Sequence, residues 1–305
     1  MKQENKKYWV MFLILGILLF FSFIISIIID SGEEFNDYNT AIISIKGVIT
    51  VDESPSIFSD DTTSSTEVIE LIEKAKKNPN TKAIIFEINS PGGSPVATDE
   101  ISEKIKSLKE YNITTVSWIR ESGLSGAYWI ASSTDYIIAN RMSFVGSIGV
   151  IGSYIEWYGL MQRYNVSYKR LVAGDFKDTG TPFRPMTEKE EIYIQSKLNK
   201  LHDFFIEEIA KNRNMSYSDV KIIANGEMFL GVEAKDIRLI DALGSEKEAL
   251  YYVESKINEK PIVKKLSKDK SFFEKLMNAL NKNSFYIGQG IGDRIINKKY
   301  FEITT

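Results

Sequence analysis

Residues 8–29, YWVMFLILGILLFFSFIISIII, contain no charged side chain, and no other feature restricts the chain more. As a helix rising 1.5 Å per residue, this run is long enough to cross a hydrocarbon core of ~30 Å. Tyr8 and Trp9 stand at one end, where amphipathic rings favour a membrane interface. Lys2, Lys6 and Lys7 precede the run, and Asp30, Glu33, Glu34 and Asp37 follow it. Flanking lysines stay on the cytoplasmic side. Residues 1–7 are therefore expected in the cytoplasm and everything after residue 30 outside it. A cleavable signal peptide would have a shorter apolar region ending in a small-x-small site, and IISIIIDSG has none. The expectation is an uncleaved single-pass anchor, residues 8–29, held in the lipid of the cell membrane.

Composition narrows the chemistry. The 38 Lys+Arg against 41 Asp+Glu leave a net charge of −3, which argues against a nucleic-acid partner. The absence of cysteine removes disulfides, thiolate metal sites and Cys nucleophiles together. One histidine, His202, is present, so a Ser-His-Asp triad or a histidine metal site would have to be built around it. It lies in a stretch, 187–212, where Ile194, Leu198, Leu201, Phe205 and Ile209 recur at helical spacing behind a capping box of Thr187 and Glu190. A histidine beside such a stripe reads as a packing residue. Any hydrolytic base is then another residue type, and neither a metal nor a cofactor is expected.

From Ala41 onward strands and helices alternate. AIISIKGVI reads as a strand, 53–65 as a mobile Ser/Thr/Asp-rich loop, STEVIELIEKAKKNP as an amphipathic helix and TKAIIFEIN as a buried strand ended by Pro91. A helix over 96–110, the strand TTVSWIR, a helix starting within ESGLSGAYWIASS and the strand DYIIAN complete the pattern. This succession predicts an α/β fold with a mainly parallel sheet. Residues 264–305 are Lys- and Asn-rich and read as an appended tail. Its GQGIG glycines follow no strand, as a dinucleotide site would require.

Three stretches offer chemistry. In SPGGS, Ser90 to Ser94, two glycines let the backbone approach a ligand, so that an amide can serve as an oxyanion donor, but an ordinary tight turn is the favoured reading of this motif alone. In SGLSGAYW, Ser125 is followed by the small Gly126 and Ala127 at a helix start, which suits an exposed nucleophile. Ser122, followed by Gly123 and Leu124, reads better as a cap or turn residue. Lys177, in the Gly- and Pro-rich AGDFKDTGTPFRPMT, is a candidate base only if burial keeps it neutral; a solvated surface charge is the ordinary reading.

Together, SPGGS, SGAYWIASSTDYIIA, VGSIGVIG, GDFKDTGTPFRPMT and GEMFLGVEAKDIRLIDALGS, in this order and spacing over about residues 41–256, resemble the signal peptide peptidase A family in its single-domain, membrane-anchored form. The resemblance implies a Clp-protease/crotonase-like fold of repeated β-β-α units and a peptidase domain over residues 36–263. It implies Ser125 as nucleophile and Lys177 as general base. Gly93 and the Gly126 amide would form the oxyanion hole, with Ser147 orienting the base. The implied partners are peptide substrates, cleaved signal peptides among them, and further copies of the chain in a ring with grooves shared between neighbours. Leu124 and Ala127 depart from the family's small pairs around the serine, which puts fine specificity in doubt. An acyl-CoA enzyme of the same fold is disfavoured by the export-type anchor, and a non-catalytic membrane scaffold stays open. Asn112, Asn165 and Asn214 each begin an N-x-S/T triplet, for which chance is an adequate explanation.

Overall fold

A computed structural model describes residues 8–9, 11–22, 38–52 and 62–267. Helix α1, residues 11–22, exposes its side chains on every side. Among the described residues no helix is long and apolar enough to cross a membrane. Residues 10 and 23–29 of the expected anchor lie outside the described residues, as do 1–7, 53–61 and 268–305.

The body is a sheet that, among the described residues, has nine strands. Strand β1 (Thr40–Thr50) is followed by β2 (Thr62–Ser64), helix α2 (Ser65–Lys77), β3 (Ala83–Gly93) and α3 (Pro95–Ser107). Then come β4 (Thr114–Leu124), α4 (Gly126–Ser132), β5 (Tyr136–Ala139) and β6 (Phe144–Gly146). A long excursion carrying α5 (Tyr158–Arg163) leads to α6 (Glu188–Asn212) and α7 (Tyr217–Ile223). The chain returns through β7 (Met228–Leu230), α8 (Gly231–Asp236), β8 (Ala242–Leu243), α9 (Glu246–Ile257) and β9 (Val263–Leu266). The strands run in the order β2-β1-β3-β4-β5-β8, every pairing parallel except that of β6 with β7. This parallel α/β architecture fits a Clp-protease-like fold.

Apolar residues run continuously along the central strands because both faces are covered. Ile43, Ile45, Ile84, Phe86 and Ile88 pack on one face with residues of α2, α3, α4 and α6. Ile42, Ala83, Ile85, Val116 and Ile138 meet Ala249 and Val253 of α9 on the other. β2 and β9 share the edge of β1 that β3 leaves free, β9 at its start and β2 at its end. The sheet therefore extends into the start of the stretch read as a tail, and Thr62–Ser64 of the expected loop are a strand.

A second correction concerns Pro91. The strand runs on through Pro91 to Gly93, because the register slips between Lys46 and Val48 and between Ile88 and Ser90. Gly92 and Gly93 then pair again with Val48 and Ile49, and a residue without an N–H is tolerated at the irregularity. The capping box at Thr187 and Glu190 is present as expected. Asn112, Asn165 and Asn214 all occupy the left-handed region, at φ 54°, 56° and 50°. Asparagine is among the few residues that adopt it readily, which gives each a backbone reason to be there.

One polar cluster ties the late strand β9 to the centre. Glu87, on β3, has a side chain only 4% exposed. It accepts from Ser44 Oγ at 2.7 Å, Lys265 Nζ at 2.6 Å and Arg120 Nη1 at 2.9 Å. Burial alone would raise its pKa. The hydrogen bonds of Lys265 and Ser44 and the charges of Lys265 and Lys46 outweigh that and hold it at about 2, against an ordinary 4.5. A depressed carboxyl contributes stability that is complete above pH 4.5 and lost as the pH falls toward 2. Glu87→Gln is expected to cost about 1–3 kcal/mol at neutral pH, the lower part of the range because the cations it leaves behind are half exposed. The difference between variant and wild type should shrink at pH 3, as read by urea unfolding of the full chain. Equal stability at pH 7 would contradict this account.

Candidate active site

The carboxyl ends of β3 and β4 lie side by side, the place where open parallel sheets present ligand-binding loops. β4 ends at Leu124 and α4 begins at Gly126, leaving Ser125 alone at the corner. Its backbone sits at φ 52°, ψ −125°, outside the regions open to ordinary residues. Such a conformation costs on the order of 1–3 kcal/mol and persists only when its surroundings over-determine it. Here the Ser125 N–H donates to the Gly146 carbonyl at 2.8 Å, and the Ser125 carbonyl accepts from Tyr128 and Trp129 at 2.9 and 3.1 Å. The side chain makes no capping hydrogen bond. This is the layout of a nucleophile elbow, in which a sharp strand-to-helix turn presents the hydroxyl.

The SPGGS segment closes on that corner. Gly92 has φ +99°, and a Cβ there would meet Ser125 Cβ at 2.8 Å and the Gly126 nitrogen at 2.9 Å. A Cβ on Gly93 would run into the Ile49 backbone. Only glycines let β3 come this near. Ser125, Gly93 and Gly126 open together onto a cavity of about 480 Å³. The Gly126 amide is the first of a helix and so has no intrahelical acceptor. It is available to a developing oxyanion beside Gly93.

Ser122 has a different task. Its hydroxyl donates to the Ser90 carbonyl at 3.2 Å, and its N–H donates to Asn89 Oδ1 at 3.1 Å, so it stitches β4 to β3. Ser147 directly follows the Gly146 that holds Ser125, and is itself left-handed at φ 50°, its N–H bonded to the Glu227 carbonyl at 2.8 Å. The VGSIG and GEMFLG segments thus brace one another behind the serine. His202 is half-buried on α6, and its Nε2 has no hydrogen-bond partner among the described residues.

Lys177 is not brought to Ser125. It is exposed and does not line the cavity, and among the described residues no hydrogen bond or ion pair of its amine is present. Its loop is nevertheless firmly shaped. Arg170 and Arg184 both grip Asp178, holding that carboxyl well below the usual range. Arg184 also makes a two-pronged pair with the buried Glu190, at 2.6 and 2.8 Å. Of the five expected site residues, the fold gathers Ser125, Gly93 and Gly126, sets Ser147 next to them, and leaves Lys177 on the arm between β6 and α6.

The cavity is also lined by Thr98, Asp99, Phe204 and Glu207, which motif reading did not pick out, and by Trp129 and Phe205. Phe205 belongs to the helical stripe read as packing, and it does pack, stacking on Trp129 with ring centroids 5.0 Å apart. Leu124 and Ala127, the expected modifiers of the pocket, do not line it.

A strained serine at a strand–helix corner, beside two glycines, is an arrangement that can present a hydroxyl to a bound carbonyl. Residues 107–259 match the model of peptidase family S49, a span that includes Ser125, Ser147 and Lys177. A candidate protease of Methanocaldococcus jannaschii is 33% identical over 230 residues, covering 74% of this chain and 71% of that protein. A candidate signal peptide peptidase of Enterococcus faecium is 29% identical over 208 residues, covering 68% of this chain and 60% of its own. Protease 4 of Haemophilus influenzae is 27% identical over 232 residues, 76% of this chain but 37% of its longer one. The chain belongs to peptidase family S49.

Two substitutions test the corner. Ser125→Ala should abolish labelling by a fluorophosphonate probe and all peptide cleavage, while Ser122→Ala keeps most of both. Gly92→Ala should lower cleavage by about 10²-fold, since its Cβ displaces the nucleophile. Loss at Ser122 alone, or full activity in Gly92→Ala, would show that another hydroxyl reacts.

Proposed function

We propose that this protein is a membrane-anchored serine endopeptidase with a Ser125/Lys177 dyad, acting on remnant signal peptides or other membrane-associated peptides. The observation that carries the reading is the forced backbone at Ser125 between the amides of Gly93 and Gly126. Such strain is tolerated where a hydroxyl must face a bound carbonyl. The Ser125 oxygen attacks the scissile carbonyl carbon and its proton passes to the Lys177 amine. The carbonyl oxygen becomes an oxyanion held by the N–H groups of Gly93 and Gly126. Collapse of that intermediate transfers the proton from Lys177 to the departing amine. Water then releases the acyl group with Lys177 again accepting a proton.

The base is supplied by a second copy of the chain. Within one chain Lys177 stands away from the cavity, on an arm that exposes apolar side chains: Ile151 is 87% exposed and Leu171 98%, with Ile155, Tyr164 and Phe183 exposed beside them. Apolar surface on this scale marks a contact between proteins. Burial in that contact is also what a lysine base needs, because a solvated lysine has a pKa of ~10.4 and is an ammonium at neutral pH. The position of Ser147, directly after the Gly146 that accepts from the Ser125 N–H, supports a role in orienting the arriving amine. The apolar, exposed surface of α1 supports anchoring in lipid, with the catalytic domain outside the cytoplasm. The names of the relatives from Enterococcus faecium and Haemophilus influenzae support peptide hydrolysis, and the first supports signal peptides as substrates.

The test is a pH–rate profile of the assembled full-length chain. Because the neutral amine is the active form, kcat/KM should rise with pH and level off in the alkaline range. Lys177→Arg should be down by about 10²–10⁴-fold, since guanidinium does not release its proton, and Ser147→Ala should fall less far. Substantial turnover by Lys177→Arg would remove Lys177 from the mechanism.

A further inference from the structure

The cavity beside Ser125 has walls of two kinds. Pro95, Val96, Trp129, Val150, Phe204 and Phe205 make it apolar along its length. Its charged lining residues are Asp99, Glu207 and Glu208, every one of them acidic. Glu208 is already engaged by Lys106, which also binds Glu103. Asp99 has no ion pair among the described residues, and burial, together with the nearby carboxylates of Glu103 and Glu208, pushes its own carboxyl pKa up against the single opposing charge of Lys106.

Thr98 and Trp129 also line the cavity, but their polar atoms Oγ1 and Nε1 are buried, without a hydrogen-bond partner among the described residues, and Thr98 Oγ1 is packed against Gly126.

We propose that this cavity selects a basic side chain, arginine or lysine, at the residue whose carbonyl Ser125 attacks, with Asp99 and Glu207 receiving its charged head. The inference rests on the peptidase reading above and adds the substrate class. The scissile carbonyl lies between Ser125 and the amides of Gly93 and Gly126, so the side chain on the same residue is the one that enters the cavity. Arginine and lysine carry a long apolar stem that suits the aromatic walls, and a cation that answers the unpaired carboxylates. An acidic side chain at this position meets repulsion from Asp99 and Glu207.

The experiment uses the full-length assembled chain and quenched peptides that differ only at that residue: arginine, norleucine or glutamate. Wild type should cleave the arginine peptide best and the glutamate peptide worst. In Asp99→Asn/Glu207→Gln the arginine-to-norleucine ratio of kcat/KM should fall by about tenfold or more, with the glutamate peptide gaining. A preference for norleucine over arginine in wild type, or an unchanged ratio in the double variant, overturns the proposal while leaving the peptidase reading intact. Absence of any Ser125-dependent cleavage overturns both.

Discussion

Much of this molecule is organised around the left-handed backbone of one serine. Ser125 cannot relax, because its N–H is taken by the Gly146 carbonyl and its carbonyl by the amides that start α4. Gly92 closes the remaining side, with no room for a Cβ between the strands. Gly146 in turn ends β6, which pairs in parallel with β4 and antiparallel with β7. The Glu227 carbonyl just before β7 holds Ser147. Segments from residues 90 to 230 thus converge on one hydroxyl, and the parallel sheet is the frame that brings them together.

Features set by local chemistry were legible in the sequence. The alternation of strands and helices, the capping box at Thr187 and the helix start directly after Ser125 all follow from neighbouring residue types. What was not legible depends on register or on distant pairing. Pro91 normally ends a strand, and only slips against β1 and β4 let β3 continue. The cavity joins α3, α4 and α6, so Asp99 and Glu207 meet although more than a hundred positions separate them. The stripe of α6 is packed at Phe205 and Ile209 but less so toward its start, where Ile194 and Leu198 are half-buried and Leu201 is exposed. Periodicity describes a face without naming what covers it.

The position of Lys177 follows from the same limit. Its loop is shaped by Arg170, Asp178, Arg184 and the buried Glu190, a network more ordered than a free surface arm requires. The side chains around it are apolar and exposed, and the amine is away from the serine of its own chain. An ion-paired arm with an exposed apolar surface and a lysine is consistent with the proposed delivery into a neighbouring site. In a head-to-tail ring each copy would give its lysine to one neighbour and take one from the other. The proposed nucleophile and oxyanion donors would then belong to one chain, and the proposed base to the next.

Mixing two inactive chains tests this division most directly. Ser125→Ala retains Lys177, and Lys177→Ala retains Ser125; each alone should be inert. Co-assembled at equal amounts in a head-to-tail ring, about a quarter of the interfaces combine an intact serine with an intact lysine from the adjacent copy. Peptide cleavage should therefore recover to roughly that fraction of the wild-type rate per chain. Mixed assemblies that contain both chains and stay as inert as the parents would contradict the account, because the dyad would then lie within a single chain.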